Sequence, residues 1–197
     1  MNPSPNRKPP SGTLFFIGTV SLFLLLSLGL LGYKLAMEHS KAQWEKVILS
    51  YQSAKTNEEK LKIAKAHLSN KQAAVWILQI AGSLYEKGAI SEALSTFQFF
   101  LEHFPGHPLE AGAMLGAGEC LESQGKTQEA LLLYQRILEK KDTEAYRSLA
   151  TLRLAQIRIQ KKEYGPAKEL LEKFLSHNAR SPFANQAQML LEMIPSS

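Results

Sequence analysis

Two histidines, His103 and His107, have the spacing at which a helix presents a pair of zinc ligands on one face. Pro105 and Gly106 lie between them, however, and both residue types interrupt a helix. No glutamate occupies the position at which a metalloprotease-type site needs its general base. We therefore predict a solvated loop without a metal at this point of the chain.

Other side chains with reactive groups are isolated along the sequence. Cys120 is the one cysteine, and it lies in an apolar helical pattern, which predicts a buried and inert thiol. The alternative is that an exported chain uses this thiol to link two copies. His39, His67 and His177 have no nucleophile beside them, and no glycine-rich phosphate loop is present. We predict no catalytic residue and no cofactor, so the protein is not expected to be an enzyme.

The elements that carry these residues repeat with a period of thirty-seven residues. Ala93, Ala130 and Ala167 mark the period, and an aromatic residue or a leucine follows each of them by four positions. A bulky apolar pair comes next in every unit. Periods of this length are typical of stacked supersecondary units, each of which is too small to bury its apolar face alone.

The apolar spacing within each unit predicts two antiparallel helices. In the first unit, Gly88 is expected to end one helix and Ser91 to cap the next. Farther upstream, Thr56 and Glu59 predict a capping box. Small and aromatic residues are predicted to pack the helices together, namely Gly88, Ala93, Phe97, Gly118, Gly125, Ala130, Tyr134, Ala155 and Ala167.

This order of a small residue, a turn glycine, an alanine, an aromatic residue and a closing proline resembles the tetratricopeptide repeat. The third unit departs from it, because Lys162 stands in place of the turn glycine. The resemblance implies a partner groove lined by the first helix of each unit. Alignment on the repeated alanine assigns eight residues to that groove: Leu78, Tyr85, Leu115, Glu119, Glu122, Leu152, Gln156 and Ile159.

The predicted groove contains no basic residue, which disfavours a clamp for a carboxyl terminus and favours an apolar partner segment. The alternative is that the groove is filled by the protein's own terminal helix or by a second copy. Basic grooves with interleaved aromatic residues are missing from the repeats, so nucleic acid is not an expected partner. Protein partners are expected, and a small-molecule substrate is not.

No charged residue occurs between Lys8 and Lys34, and residues 14–33 are almost entirely apolar. Twenty residues of helix span about 30 Å, the thickness of the hydrocarbon core of a bilayer. The run is longer than the apolar region of a signal peptide and ends without a small-x-small cleavage site. We predict a retained, single-pass transmembrane helix.

The predicted organisation is all-α, a single N-terminal transmembrane helix followed by a solenoid of about three helical hairpins with flanking helices. Its parts are a basic tail (1–12), the transmembrane helix (13–36), a juxtamembrane helical hairpin (37–71) and a repeat domain with a C-terminal capping helix (72–197). Ten basic and only four acidic residues lie in residues 1–71. This excess predicts either a solvated helix face or attraction to anionic lipid headgroups, and it does not choose a membrane orientation.

The layout, together with the segment Ser-Leu-Ala-Thr-Leu-Arg-Leu-Ala-Gln-Ile at 148–157, is similar to a family of N-terminally anchored periplasmic tetratricopeptide-repeat proteins. That family includes the ancillary subunit of the SecYEG translocon. The resemblance implies a bacterial inner-membrane protein with a cytoplasmic N terminus and a periplasmic repeat domain. It further implies a chaperone-like role, binding apolar segments of exported proteins or envelope complexes. The alternative is a cytosol-facing adaptor that recruits soluble partners to the membrane.

Overall fold

The computed structural model describes the backbone of residues 11–140 and 143–195, and their side chains except those of residues 11–25 and 145. Over these residues the secondary structure is entirely helical, which confirms the predicted all-α class. The helices are α1 (Ser11–Ser53), α2 (Asn57–Lys65), α3 (Lys71–Glu86), α4 (Ile90–His103), α5 (Glu110–Ser123), α6 (Thr127–Glu139), α7 (Glu144–Gln160), α8 (Tyr164–Asn178) and α9 (Ala184–Glu192).

The chain divides into an N-terminal unit, Met1–Ser53, and a C-terminal unit, Ala54–Ser197. This boundary cuts through the predicted juxtamembrane hairpin: residues 37–53 continue α1, whereas α2 belongs to the C-terminal unit. There α2 packs against α3, and Ala64 is fully buried. The helix α2 therefore belongs to the same compact unit as the repeats predicted at 72–197.

The predicted transmembrane helix, residues 13–36, falls within α1, where side chains are described only from Leu26 onward. The predicted basic tail lies almost wholly outside the described residues. In the part of the chain that the structure describes, no helix combines the length and the apolarity needed to cross a membrane.

The C-terminal unit stacks three helical hairpins, which we name repeat 1 (α3 and α4), repeat 2 (α5 and α6) and repeat 3 (α7 and α8). From α2 to α9, each helix packs against the next along the chain. The first helices α3, α5 and α7 also contact one another in succession, and α7 contacts α9. Within the described residues, the second helices α4, α6 and α8 do not contact one another. The first helices thus form a close-packed inner layer and the second helices a more widely spaced outer layer, the arrangement of a curved solenoid.

Close approach of α5 to both neighbours depends on glycine. A Cβ atom at Gly118 would lie 2.5 Å from Cε1 of Tyr134 on α6, and one at Gly116 would overlap the ring of Phe97 on α4. Both aromatic rings are buried, so they have little room to retreat. The predicted packing role of Gly118 is explained by this contact, whereas Gly116 was not predicted. The alanines that mark the repeat, and Ala155, are fully buried.

All three first helices end in the same turn. Gly88 and Gly125 adopt φ of 75°, and Lys162 adopts φ of 61° at the equivalent position. Each turn is a Schellman motif, in which the amide two residues past the helix cap donates to a carbonyl in the last turn. These bonds run from Ala89 to Leu84, from Lys126 to Leu121 and from Glu163 to Arg158. Repeat 3 therefore keeps the geometry without the residue that adopts it most easily.

The helix caps agree with the sequence at one site and differ at another. The capping box is confirmed: the Thr56 hydroxyl accepts from the amide of Glu59, and the Glu59 carboxylate accepts from the amide of Thr56. The prediction that Ser91 caps the second helix of repeat 1 is wrong. That helix begins at Ile90, and Ala89 holds the cap position without a side-chain bond, because the preceding Schellman turn leads directly into it.

Candidate functional site

The eight predicted groove residues all lie on the first helices, in the inner layer. Their exposure differs from repeat to repeat. Leu78 and Tyr85 of repeat 1 are half-buried, and so is Gln156 of repeat 3. Leu115 of repeat 2 is only 9% exposed, since α5 has an inner-layer neighbour on each side. The prediction that Leu115 contacts a partner is corrected accordingly: its surface is used within the stack.

Repeat 3 gives the clearest correction to the predicted groove. Leu152 is 2% exposed and belongs to a core cluster with Ala187 and Leu190 of α9. Ile159 packs against the same cluster. Leu152 is therefore buried within the protein and Ile159 is partly buried, and at Leu152 the alternative that the terminal helix fills part of the groove applies.

The position of α9 explains this cover. Residue 184, where α9 begins, lies thirty-seven residues after Arg147 in the first turn of α7, so α9 continues the period of the repeat. It packs against α8 and α7 in the way that α5 packs against α4 and α3. The predicted capping helix is thus the first helix of a fourth repeat, and it seals the apolar end of the stack.

The two predicted groove acids are held by other side chains of the repeats. Glu119 accepts a hydrogen bond from Arg153 of α7 at 2.7 Å, and Glu122 accepts one from the hydroxyl of Tyr134. Burial raises the pKa of Tyr134, and its bond to the Glu122 carboxylate raises it further. Both acids therefore stabilise the stack, and neither presents a free carboxylate for a basic residue of a partner.

Arg153 is the residue of this network that the sequence analysis missed. Burial lowers the pKa of Arg153, but its bond to Glu119 outweighs burial, so the net pKa is raised and the side chain stays charged. The sequence did contain a signal for this pairing: Arg153 is a single cation between two leucines, Leu152 and Leu154. The Arg153 side chain is partly exposed, and the preceding repeat supplies a carboxylate partner for its charge.

Apolar side chains are at least partly exposed at both ends of the inner layer. Met189 of α9 and Met193, the residue that follows this helix, are 58% and 63% exposed, and they lie thirty-seven residues after Leu152 and Gln156, at equivalent repeat positions. They were not predicted to line the groove, because the sequence analysis assigned groove positions to three repeats only. Leu78 and Tyr85 lie on α3, at the other end of the stack from α9. We call these four residues together the open inner surface. Methionine is flexible and adapts to differently shaped apolar partners.

The histidines and the cysteine that were considered as reactive groups make packing contacts or local hydrogen bonds, or are buried. The ring of His103 stacks on Phe99 with centroids 3.9 Å apart, and His107 Nδ1 accepts from the amide of Leu109. Among the described residues, no group of three potential ligands could hold a metal ion. Cys120 is fully buried, as predicted, and burial raises its pKa to about 11. Its thiol is therefore protonated at neutral pH and a poor nucleophile.

Residues 78–145 match the family model described as Tetratricopeptide repeat. The matched segment runs from α3 to the start of α7, so it covers most of repeat 1 and all of repeat 2. No curated protein matches the chain. The match and the helix packing together confirm the predicted tetratricopeptide-like solenoid, and such repeats generally act as scaffolds that bind other proteins.

Proposed function

We propose that this protein is a membrane-attached scaffold that binds apolar segments of other proteins on its open inner surface. The proposal is based on one observation: apolar side chains of the first helices are at least partly exposed, whereas the acidic side chains of α5 are bound to other residues of the protein. Tyr85, Met189 and Met193 offer apolar area, while the carboxylates of Glu119 and Glu122 already have partners. Binding at such a surface is driven by burial of apolar area.

Membrane attachment is supported by α1. Seven large apolar side chains between Leu26 and Met37 are exposed along this helix, and the sequence before them is free of charge back to Lys8. An apolar surface of this extent is unfavourable in water and is stabilised by lipid or by another protein. We propose that this part of α1 lies in a bilayer and that the repeats lie outside it.

We further propose that the membrane is a bacterial inner membrane and that the repeats face the periplasm. There they hold apolar segments of exported chains near the translocon, or bridge envelope complexes, in a chaperone-like role. The support is the similarity of residues 148–157 to the anchored periplasmic family. A fusion of alkaline phosphatase to the C terminus tests the side, because the enzyme is active only outside the cytoplasm. Inactivity of the fusion favours the cytosolic adaptor instead.

Site-specific photo-crosslinking tests the binding surface. A photoreactive amino acid is introduced at Tyr85 or Met193 of the full-length chain in cells. A matched position is Leu132, which is 55% exposed on α6 in the outer layer. We expect protein adducts from the two inner positions and few from Leu132. Equal adducts from all three positions, with normal helicity by circular dichroism, would contradict recognition by the inner surface.

A further inference from the structure

The outer layer contains two clefts, each between second helices that do not touch. One lies between α4 and α6 and is floored by α5, and the other lies between α6 and α8 and is floored by α7. We name them the α4–α6 cleft and the α6–α8 cleft. The second has a volume of about 470 Å³, enough for one or two side chains of a partner. Neither cleft belongs to the open inner surface.

The α6–α8 cleft combines apolar and basic lining residues. Leu138, Leu170 and Phe174 supply the apolar part. Arg147 and Lys173 supply positive charge. Anionic groups with an apolar neighbour are complementary to such a lining.

In the described part of the chain, one acidic side chain of the lining offsets this positive charge. This acidic residue, Glu144, is exposed. Its carboxylate forms an ion pair with the Arg147 guanidinium at 3.9 Å, a distance too long for a hydrogen bond. Arg147 donates to the carbonyl of Lys140, and its buried Nε atom has no hydrogen-bond partner among the described residues. The Arg147 side chain is 37% exposed and a guanidinium has five donors, so its outer donors can take a further acceptor.

The α4–α6 cleft shows that this charge is not a general property of the repeat. Its ionisable lining residues are Glu129, Arg136 and Glu139, in which acids outnumber bases. Leu101 and Leu133 supply a comparable apolar part. The two clefts thus have the same architecture and opposite charge, which makes the α4–α6 cleft a control for the other.

We propose that the α6–α8 cleft binds an acidic segment of a partner protein, in which a carboxylate lies next to a bulky apolar side chain. The carboxylate binds Lys173 and Arg147, and the apolar side chain packs on Leu170 and Phe174. Charge complementarity selects this partner over a basic or a purely apolar one. The site is separate from the open inner surface, so it stands or falls independently of the function proposed above.

Fluorescence anisotropy with the purified full-length chain in detergent tests the site. The probe is a labelled peptide, acetyl-Gly-Asp-Phe-Asp-Leu-Gly, and the matched probe has asparagine in place of both aspartates. We expect Lys173→Glu to weaken binding of the acidic peptide about ten-fold, and Arg136→Glu in the α4–α6 cleft to change it less than about two-fold. Lys173 is exposed, so the substitution leaves the core intact.

Four results would overturn the proposal. The first is equal affinity for the aspartate and asparagine peptides. The second is an equal response to the Lys173 and Arg136 substitutions. The third combines two observations: inorganic phosphate displaces the peptide, and replacing the phenylalanine of the peptide by glycine does not weaken its binding. Together they would indicate a simple anion site. The fourth is absence of peptide binding at millimolar concentration.

Discussion

Repeats 2 and 3 are both helical hairpins, and they carry opposite charges at one equivalent position. Glu110 in α5 and Arg147 in α7 lie thirty-seven residues apart, and both bind the same residue, Lys140. Glu110 accepts from the Lys140 ammonium at 2.8 Å, whereas Arg147 donates to the Lys140 carbonyl. The buried small and apolar positions fix the hairpin, and the polar positions between repeats diverge as long as each finds a partner.

The inner layer shows the same contrast. In repeat 2 the polar groove positions, Glu119 and Glu122, are paired with neighbouring side chains. In repeat 3 the apolar Leu152 is buried in a cluster that includes residues of α9, and Ile159 packs against that cluster. Equivalent positions therefore have different roles, which depend on the helix that comes next in the stack.

Replacing Leu152 by alanine tests the difference between the repeats with the largest expected effect on stability. We expect a loss of about 3 kcal/mol in the free energy of unfolding, because a buried leucine is removed from a packed cluster. Leu78, the equivalent residue of repeat 1, is half-buried, and Leu78→Ala is expected to cost about 1 kcal/mol. Urea unfolding of both full-length variants measures the difference. Similar losses would mean that α9 does not cover repeat 3.

Adding one methyl group to repeat 2 gives the next largest effect. Gly118→Ala places a Cβ against the buried Tyr134 ring, and overpacking of this kind is expected to cost about 2 kcal/mol. Gly82→Ala is the control, because no atom lies within 4 Å of the added Cβ and alanine favours helix. Repeat 3 already pairs an alanine, Ala155, with Leu171 at these positions.

That pairing suggests a rescue. Tyr134→Leu in the Gly118→Ala background gives repeat 2 the same pair as repeat 3. We expect the double variant to be more stable than the sum of the two single losses, by about 1 kcal/mol, since the single losses share one contact. Additive losses in urea unfolding would show that the glycine and the tyrosine are not coupled.

Much of the fold follows from the sequence, because the repeat period and the turn glycines are local features. Gly118 was predictable, since it recurs as a small residue at a fixed position. Gly116 was not, because its partner ring, Phe97, comes from the preceding repeat. The pairing of Glu119 with Arg153 joins residues thirty-four positions apart. Such contacts decide which groove residues are free, and only the packed structure reveals them.

Glu110 gives repeat 2 a pH dependence that repeat 3 lacks. Burial raises the pKa of Glu110, but bonds from Lys140 and the amide of Gly106 outweigh burial, so the net pKa lies below the ordinary 4.5. A depressed pKa contributes stability that is present above pH 4.5 and is lost as the pH falls through the folded-state value. We expect Glu110→Gln to cost about 1.5 kcal/mol at pH 7 and less at pH values below the folded-state pKa.

Arg147→Gln is the matched variant, because arginine does not titrate in this range. Its loss in urea unfolding should not vary between neutral and acidic pH. The interpretation of the Glu110 site fails if the Glu110→Gln loss is equally constant.

The turns after the first helices give the smallest expected effect, and exchanging lysine and glycine between repeats 2 and 3 tests it in both directions. Lys162 adopts the left-handed conformation that Gly125 adopts in repeat 2, and a side chain in this region costs about 1 kcal/mol relative to glycine. Lys162→Gly should therefore stabilise the chain by that amount, and Gly125→Lys should destabilise it to a similar extent. Lys161→Gly is the control: its φ of −80° suits any residue, so glycine there only loosens the unfolded chain and lowers the midpoint of urea unfolding. If Lys162→Gly lowers the midpoint as Lys161→Gly does, the turn of repeat 3 is not strained, and the two repeats tolerate lysine and glycine equally at this position.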